Sequence, residues 1–452
     1  MTRSLSKTIS GWGCYPTAKS ILIRPELMRD VNIPKQGSLI CRGQGRSYGD
    51  AAISSQGQVM LSERLNRFLA FDDSTGILTA EAGATLAEIL ETFVPRGWFP
   101  AVTPGTQYVS IGGAIAADVH GKNHHHAGTL GVHVTELELM LADGHRQRCS
   151  PEKNESLFWA TLGGMGLTGI ITEASFRLIP IETAAIMAEH NPASDLEVTF
   201  KWLEDTDYDD QYTVAWIDCA SARRHFGRSI VMKGHHARRD ELPDDWKDPF
   251  FVPPLCSKSI PFNFPSFVLN RFTMAVFNER YYRHQGRKKG SFITDYASFF
   301  YPLDALAHWN RLYGRRGFLQ YQVAIPDPYA HEGIRRLLEH LINSRQGAFL
   351  AVLKRFGSAN AGLLSFPVAG YTLALDLPMT GKKVLNLLQQ LDELVIKYGG
   401  RVYLAKDACL SPESLRAMYP RLEEWQRIKQ VVDPERRFQS DLSRRLQLAG
   451  TL

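Results

Sequence analysis

The chain is poor in most of the signals that place a protein quickly. Its six cysteines, Cys14, Cys41, Cys149, Cys219, Cys256 and Cys409, include no CxxC pair. That spacing excludes a zinc knuckle and a thioredoxin-type redox pair, and the scatter suits reduced cytosolic thiols. No apolar run reaches the roughly 18 residues that a membrane-crossing helix needs. The opening stretch MTRSLSKTISGWGCYP has no apolar core of the secretory kind. The expectation is a cytoplasmic protein, at most peripheral to the inner membrane. There is no GxxxxGK[ST] phosphate loop, no internal repeat and no low-complexity tract. The net charge of +5 over 452 residues is mild. It suits an anionic ligand and gives no ground for a nucleic-acid partner.

What is present is ordinary globular material, 44% hydrophobic and 22% charged, enough for a large core. Residues 38–182 read as short strands punctuated by glycine. SLICRG looks like a buried strand, and QVMLSERLNRFLAFDDSTGILTAEAGA like two or three strands with a turn at Ser74-Thr75-Gly76. TLAEILETFVPRG has the period of an amphipathic helix, with Thr85 as its N-cap and Gly97 past its end. Asp143-Gly144 marks a hairpin turn, and GLTGIITEASFRLIPI alternates as a strand.

The character changes at about 184. Linkers lengthen, aromatics multiply, and DALAHWNRLYG, HEGIRRLLEHLINSRQ and GKKVLNLLQQLDELVIKYGG read as helices. Residues 250–290 are crowded with phenylalanine and tyrosine and end in the basic run RHQGRKKG. After residue 400 a strand, a loop and one or two helices follow.

Three glycine clusters stand out: RGQGRSYGD (42–50), SIGGAIAADVHGKN (110–123) and GGMGLTGI (163–170). Glycine lets consecutive backbone N–H groups converge on one anion, and a pyrophosphate needs several such donors. The first cluster is GxGxxxG with no long helix after it, which does not fit a Rossmann fingerprint. DVHGKNHHHAG holds four of the fourteen histidines, His120, His124, His125 and His126. Adjacent residues point in different directions and no cysteine or carboxylate motif accompanies them, so no metal is expected. A solvated loop fits His125 and His126.

RGQGRSYGD, TPGTQYVSIGGAIAADVHGKNHH, LFWATLGGMGLTGI and LAKD resemble the motifs of flavoproteins of the vanillyl-alcohol-oxidase fold, with a PCMH-type FAD-binding domain. Within that fold the likeness is to the decaprenylphosphoryl-β-D-ribose 2-oxidases. It extends to YPLDALAHWNRLYGRRGFLQYQVAIP and RAMYPRLEEWQRIKQVVDPERRFQSDLSRRL, so it covers nearly the whole chain. The resemblance implies an α+β fold in two lobes. Residues 1–183 would form the FAD-binding domain. Residues 184–399 would form a substrate or cap domain with an antiparallel sheet and flanking helices, and residues 400–452 would return to the FAD domain.

The same resemblance nominates residues. Arg42, Gly43, Gly45, Arg46, Ser47, Tyr48 and Gly49 would wrap the FAD pyrophosphate. Gly112, Gly113, Ala114, Ile115, His120, Gly121, Lys122 and Asn123 would run under the ribityl chain and ring, with Ile171 and Tyr403 flanking. Tyr48 stands where many relatives carry a flavin-linking histidine, which implies non-covalent FAD. Lys406 would be the cation at the junction of flavin and substrate, and Tyr48 or His120 would take the hydroxyl proton. Gln320 and Gln322, on one face of a strand, would line the substrate pocket with Lys354, Trp216, Arg311 and Lys406. By its composition alone, the aromatic and basic segment 250–290 suits a lid over a lipid-phosphate substrate, with Arg283, Arg287, Lys288 and Lys289 meeting phosphate or anionic headgroups, and equally suits a flexible, partly buried loop. Thr372 and Ala374 stand where mycobacterial relatives carry an asparagine and a cysteine, so compounds that capture that cysteine should find no target here.

The implied reaction is oxidation of the 2-hydroxyl of a polyprenyl-phosphate-linked ribose to a ketone, with a separate NAD(P)H-dependent short-chain reductase completing an epimerisation. An aldonolactone or alditol oxidase acting on a small soluble sugar is the alternative on the same fold, and a non-catalytic flavin-binding partner protein a third.

Overall fold

The computed structural model describes residues 4–205, 211–219, 225–253, 258–265 and 267–450. The N-terminal part builds two sheets. The four-stranded one has the order Ser4–Ser10, Thr17–Ile23, Gln58–Leu61, Leu39–Arg42, and its last two pairs run parallel. The six-stranded one runs Phe68–Asp72, Ile77–Glu81, Ile170–Pro180, Val134–Met140, Arg146–Cys149, with Trp98–Pro100 paired to the end of Ile170–Pro180.

Local chemistry explains the boundaries. Gly76 sits at φ 72° and its N–H closes the turn onto the Asp72 carbonyl at 2.8 Å. The helix Leu86–Phe93 opens with a capping box, in which the Thr85 hydroxyl accepts from the Glu88 N–H and the Glu88 carboxylate accepts from the Thr85 N–H. Its period buries Leu86, Ile89, Leu90 and Phe93, and Gly97 follows at φ 81°.

The middle of the chain forms an eight-stranded, wholly antiparallel sheet. Its order is Phe292–Asp295, Ala185–Ala193, Ser229–His236, Tyr212–Ile217, Ala351–Phe356, Gly370–Pro378, Phe318–Pro326, Arg401–Val402. One face carries Leu319, Tyr321, Val323, Leu353, Leu373 and Leu375 into a core shared with the helices Leu196–Glu204, Ala330–Asn343 and Lys382–Lys397. Those helices supply Phe200, Leu337, Leu341, Leu388 and Leu391, all nearly inaccessible to solvent.

After Arg401–Val402 the chain goes back to the N-terminal sheets. The Tyr48 N–H donates to the Ala405 carbonyl at 3.0 Å, Leu39 N–H to Arg437 at 2.7 Å, and Gln439 N–H to Leu39 at 3.0 Å. Arg445 then forks onto Asp50 and Asp407 at 2.7 and 2.9 Å.

DALAHWNRLYG is not one helix. Leu306–Ala307 pairs in parallel with Lys258–Ser259, His308 adopts φ 58°, and a 3-10 turn covers Trp309–Tyr313. A left-handed residue cannot sit inside a right-handed helix. The apolar spacing serves instead an aromatic cluster of Trp309, Tyr313 and Phe318. The five cysteines among the described residues are free, and Cys256 lies outside them. No helix among the described residues is long and apolar enough to cross a membrane.

Candidate active site

Strand alternation turns Gln320 and Gln322 to the face opposite Leu319, Tyr321 and Val323. Register does the rest. Gln320 pairs with Asp376, Gln322 with Ala374, Ala374 with Val352, and Val352 with Trp216, while Lys354 pairs with Thr372. Eight side chains from four neighbouring strands therefore share one face. The Gln320 amide donates to Asp376 Oδ1 at 2.6 Å. Gln322 Nε2 lies 3.1 Å from Thr372 Oγ1 and 2.8 Å from His120 Nε2, which ties the sheet to the loop 118–123.

Two loops close on this face from the other side. Lys406 Nζ stands 3.9 Å from the centroid of the Tyr48 ring, whose edge meets Phe318. Next to Tyr48, a Cβ on Gly49 would lie 1.8 Å from the Asp407 carbonyl oxygen, so only glycine allows the two loops to touch. Tyr403 donates to the Ala117 carbonyl at 2.8 Å and its ring lies 5.2 Å from that of His120.

Burial dominates the electrostatics. It pulls Lys406 down to about 7; Lys354 adds to this and Asp376 opposes it. Lys354 falls to about 8 by burial alone, and Lys122 to about 7 by burial and the charge of Lys354. Lys122 Nζ donates to the Phe299 and Phe300 carbonyls. Burial also pushes Asp376 up to about 7, raises Tyr48 well above the ordinary phenol range and lowers His120 well below the ordinary imidazole range. The charge of Lys354 thus bears on both Lys406 and Lys122 in a low-dielectric region where Asp376 is the carboxylate acting on Lys406. Uncompensated buried charge is expensive, and the arrangement suits an anionic guest.

The first glycine loop has the matching donors. Backbone N–H groups from Gly43 through Ser47 donate to no other described residue, the condition for a nest around phosphate oxygens. Gly43 lies so close to the start of the helix Ile111–Ala116 that a Cβ would fall 2.0 Å from Ser110 Oγ. Gly45, at φ 63°, covers the Arg42 guanidinium, which is itself tied to the Ser10 and Ala52 carbonyls. Arg46 stacks 4.1 Å over the Trp12 ring and donates to the Tyr108 carbonyl. In the second loop Gly112 abuts Ala82, Gly121 abuts Thr103, Gly113 is exposed, and Ala114 and Ile115 are buried. His120 Nδ1 and Asn123 Oδ1 are buried polar atoms without a partner. Unpaired donors in one loop and orphaned polar atoms in the next fit an elongated group with phosphates at one end and a polar ring at the other.

Not every nominated residue joins this cluster. Arg311 donates to the Ile260 and Pro261 carbonyls, tying down that segment. Trp216 does stand on the shared face, at its far edge, where it packs on Tyr281 at 4.7 Å. Ile171 is buried in the core of the six-stranded sheet. The histidine run is a helical turn, His124–Ala127, not a wholly solvated loop: His124 is buried and its Nδ1 accepts from the Gly357 N–H, His125 is half-buried and His126 exposed. Among the described residues no group of three or more His, Cys, Asp or Glu could hold a metal ion. Sequence reasoning missed Asp376, although it lies two residues beyond Ala374 on the same alternating face. It also missed Asp118, a fully buried carboxylate that holds the Gly131 N–H, Asn360 and Ser365 and so fixes the loop bearing His120.

Comparison with known proteins bears on this geometry. Residues 30–150 match the family model described as an FAD binding domain, and residues 317–446 the one described as D-arabinono-1,4-lactone oxidase. The decaprenylphosphoryl-β-D-ribose oxidase of Mycolicibacterium smegmatis is 39% identical over 98% of this chain and 98% of its own. The chain belongs to the decaprenylphosphoryl-β-D-ribose oxidase family. An uncharacterised protein of Streptomyces coelicolor is 34% identical over 80% of this chain and all of its own length. A D-arabinono-1,4-lactone oxidase of Yarrowia lipolytica is 30% identical over 31% of this chain and 27% of its own. As a member of this oxidase family the protein is an FAD-dependent oxidoreductase, and the α+β architecture of its FAD-binding part agrees with the glycine loops described above.

Proposed function

We propose that the protein oxidises the 2-hydroxyl of a polyprenyl-phosphate-linked ribose to the 2-keto sugar, and that a separate NAD(P)H-dependent short-chain reductase completes an epimerisation. The observation that carries the reading is the polar sheet face: Gln320, Gln322, Thr372 and Lys354 stand together opposite Tyr48, His120 and Lys406. FAD held without a covalent bond would accept the hydride that leaves the carbinol carbon. Residues 42–49 would hold its phosphates, and residues 112–123 with Tyr403 its ring end. We read residues 1–183 and 400–452 as the FAD-binding unit and 184–399 as the substrate unit.

The chain's own residues would divide the remaining work. Gln320, Gln322 and Lys354 orient the sugar. Lys406, seated on the Tyr48 ring, offsets negative charge arising beside it. Burial holds both candidates for the hydroxyl proton neutral, Tyr48 as a phenol and His120 as an imidazole.

The match of residues 317–446 to the lactone-oxidase model supports the second reading, oxidation of a small soluble lactone or alditol. Anaerobic mixing of the purified holoenzyme with candidate substrates separates the two. A prenyl-phosphoryl ribose should bleach the flavin absorbance while free lactones and alditols leave it unchanged. Bleaching by the small sugars alone would overturn the first reading.

A further inference from the structure

The helix Arg271–Gln285 is held by few contacts. Only Met274 and Asn278 are buried; Asn278 donates to Asp218 at 2.7 Å, and Phe277 stacks on Phe349. Its outer side is one continuous exposed face with two chemically distinct ends. Phe272 and Val276, 76% and 53% exposed, form the apolar end. Arg280, Arg283 and Arg287 form the cationic end, and the one carboxylate on this face, Glu279, is already engaged by Arg228 and Arg283. Phe267, just ahead of the helix, is 75% exposed.

The charge distribution sharpens the point. From Arg271 to Lys289 there are six lysines and arginines against one acidic residue. That surplus equals the +5 of the whole chain, so the rest of the protein sums to zero. A net positive charge confined to one segment, beside large exposed apolar side chains, is the pattern of an interfacial helix: apolar groups enter the headgroup boundary while cations meet anionic lipid. Solvent alone gives no reason to expose Phe272 and Val276 next to that charge.

We propose that this face of the helix docks the enzyme on an anionic phospholipid bilayer. The inner side of the same helix carries Tyr281, which packs on Trp216 of the substrate-facing sheet. Docking would therefore bring the sheet face to the surface in which a prenyl chain is anchored. The proposal deepens the lipid-linked reading of the substrate, but its readout needs no turnover.

The test is co-sedimentation of holoenzyme with vesicles of phosphatidylcholine, with and without phosphatidylglycerol, over a range of salt. Binding should require phosphatidylglycerol and weaken with salt. The triple variant Arg280→Gln, Arg287→Gln, Lys289→Gln should lose about fivefold in partitioning per charge removed. The double variant Phe272→Ser, Val276→Ser should lose binding with its cations intact. Retained flavin absorbance shows that each variant is folded. No binding to the anionic vesicles, equal binding to both vesicle types, or undiminished binding by both variants would overturn the proposal. So would binding of a monomeric prenyl phosphate at this face by a protein that ignores vesicles. If vesicles bind but no sugar bleaches the flavin, docking stands and the substrate reading falls.

Discussion

Lys406 can serve as a cation only while its surroundings keep it protonated. Burial draws it down to about 7 and Lys354 pulls the same way, whereas Asp376 pushes it up. Asp376→Asn should therefore move the limb of the kcat/KM profile near neutral pH toward lower pH, and Asp376→Glu should largely restore it. A carboxylate with only a packing role would lower the rate and leave the limb in place. The aspartate's stability contribution has the opposite course. Its folded pKa, about 7, lies above the ordinary 3.8, so the native state binds the proton more tightly. That contribution is complete below about 4 and lost as pH rises through about 7. The melting temperature of Asp376→Asn, relative to the parent, should thus rise across that window. Gln320, Gln322 and Lys406 were legible because short motifs surround them. Asp376 was not, because an aspartate near the end of a strand reads as a polar terminus until register places it opposite Gln320.

At the scale of elements, glycines decide how closely the loops approach. A methyl group on Gly49 would meet the backbone of Asp407, and no rotamer can relieve a backbone clash. Gly49→Ala should be purified with little bound FAD, as judged by flavin absorbance per polypeptide. Gly105→Ala, which meets nothing within 4 Å, should keep its full complement. The sequence announced the glycine loops and the helix Leu86–Phe93, since Thr85, Glu88 and Gly97 are local signals that need no tertiary partner. It misrepresented DALAHWNRLYG, whose helical period serves an aromatic cluster around Phe318 and is interrupted at His308. Periodicity records which side chains are buried and not what buries them, and here Trp12, Tyr48 and Phe349, far away in sequence, complete the cluster.

At the scale of the molecule, Arg445 joins three stretches of chain. Its guanidinium meets Asp50 after the first glycine loop and Asp407 after Lys406, and its Nη1 donates to the Leu410 carbonyl. Removing it leaves two nearly inaccessible carboxylates facing each other. Arg445→Leu should cost about 3 kcal/mol in denaturant unfolding and weaken FAD retention at the same time. No spacing in the sequence pairs residue 445 with residue 50; the return of the tail was visible only through resemblance to a family.

The contact between Tyr48 and Ala405, with Gly49 against Asp407, also has a consequence for biosynthesis. Nine-tenths of the polypeptide must leave the ribosome before the loop translated within the first fifty residues gains its final wall. On the proposed reading coenzyme capture is therefore a late event in the life of the nascent chain, and a translation product that stops short of residue 405 would lack the wall that closes the loop.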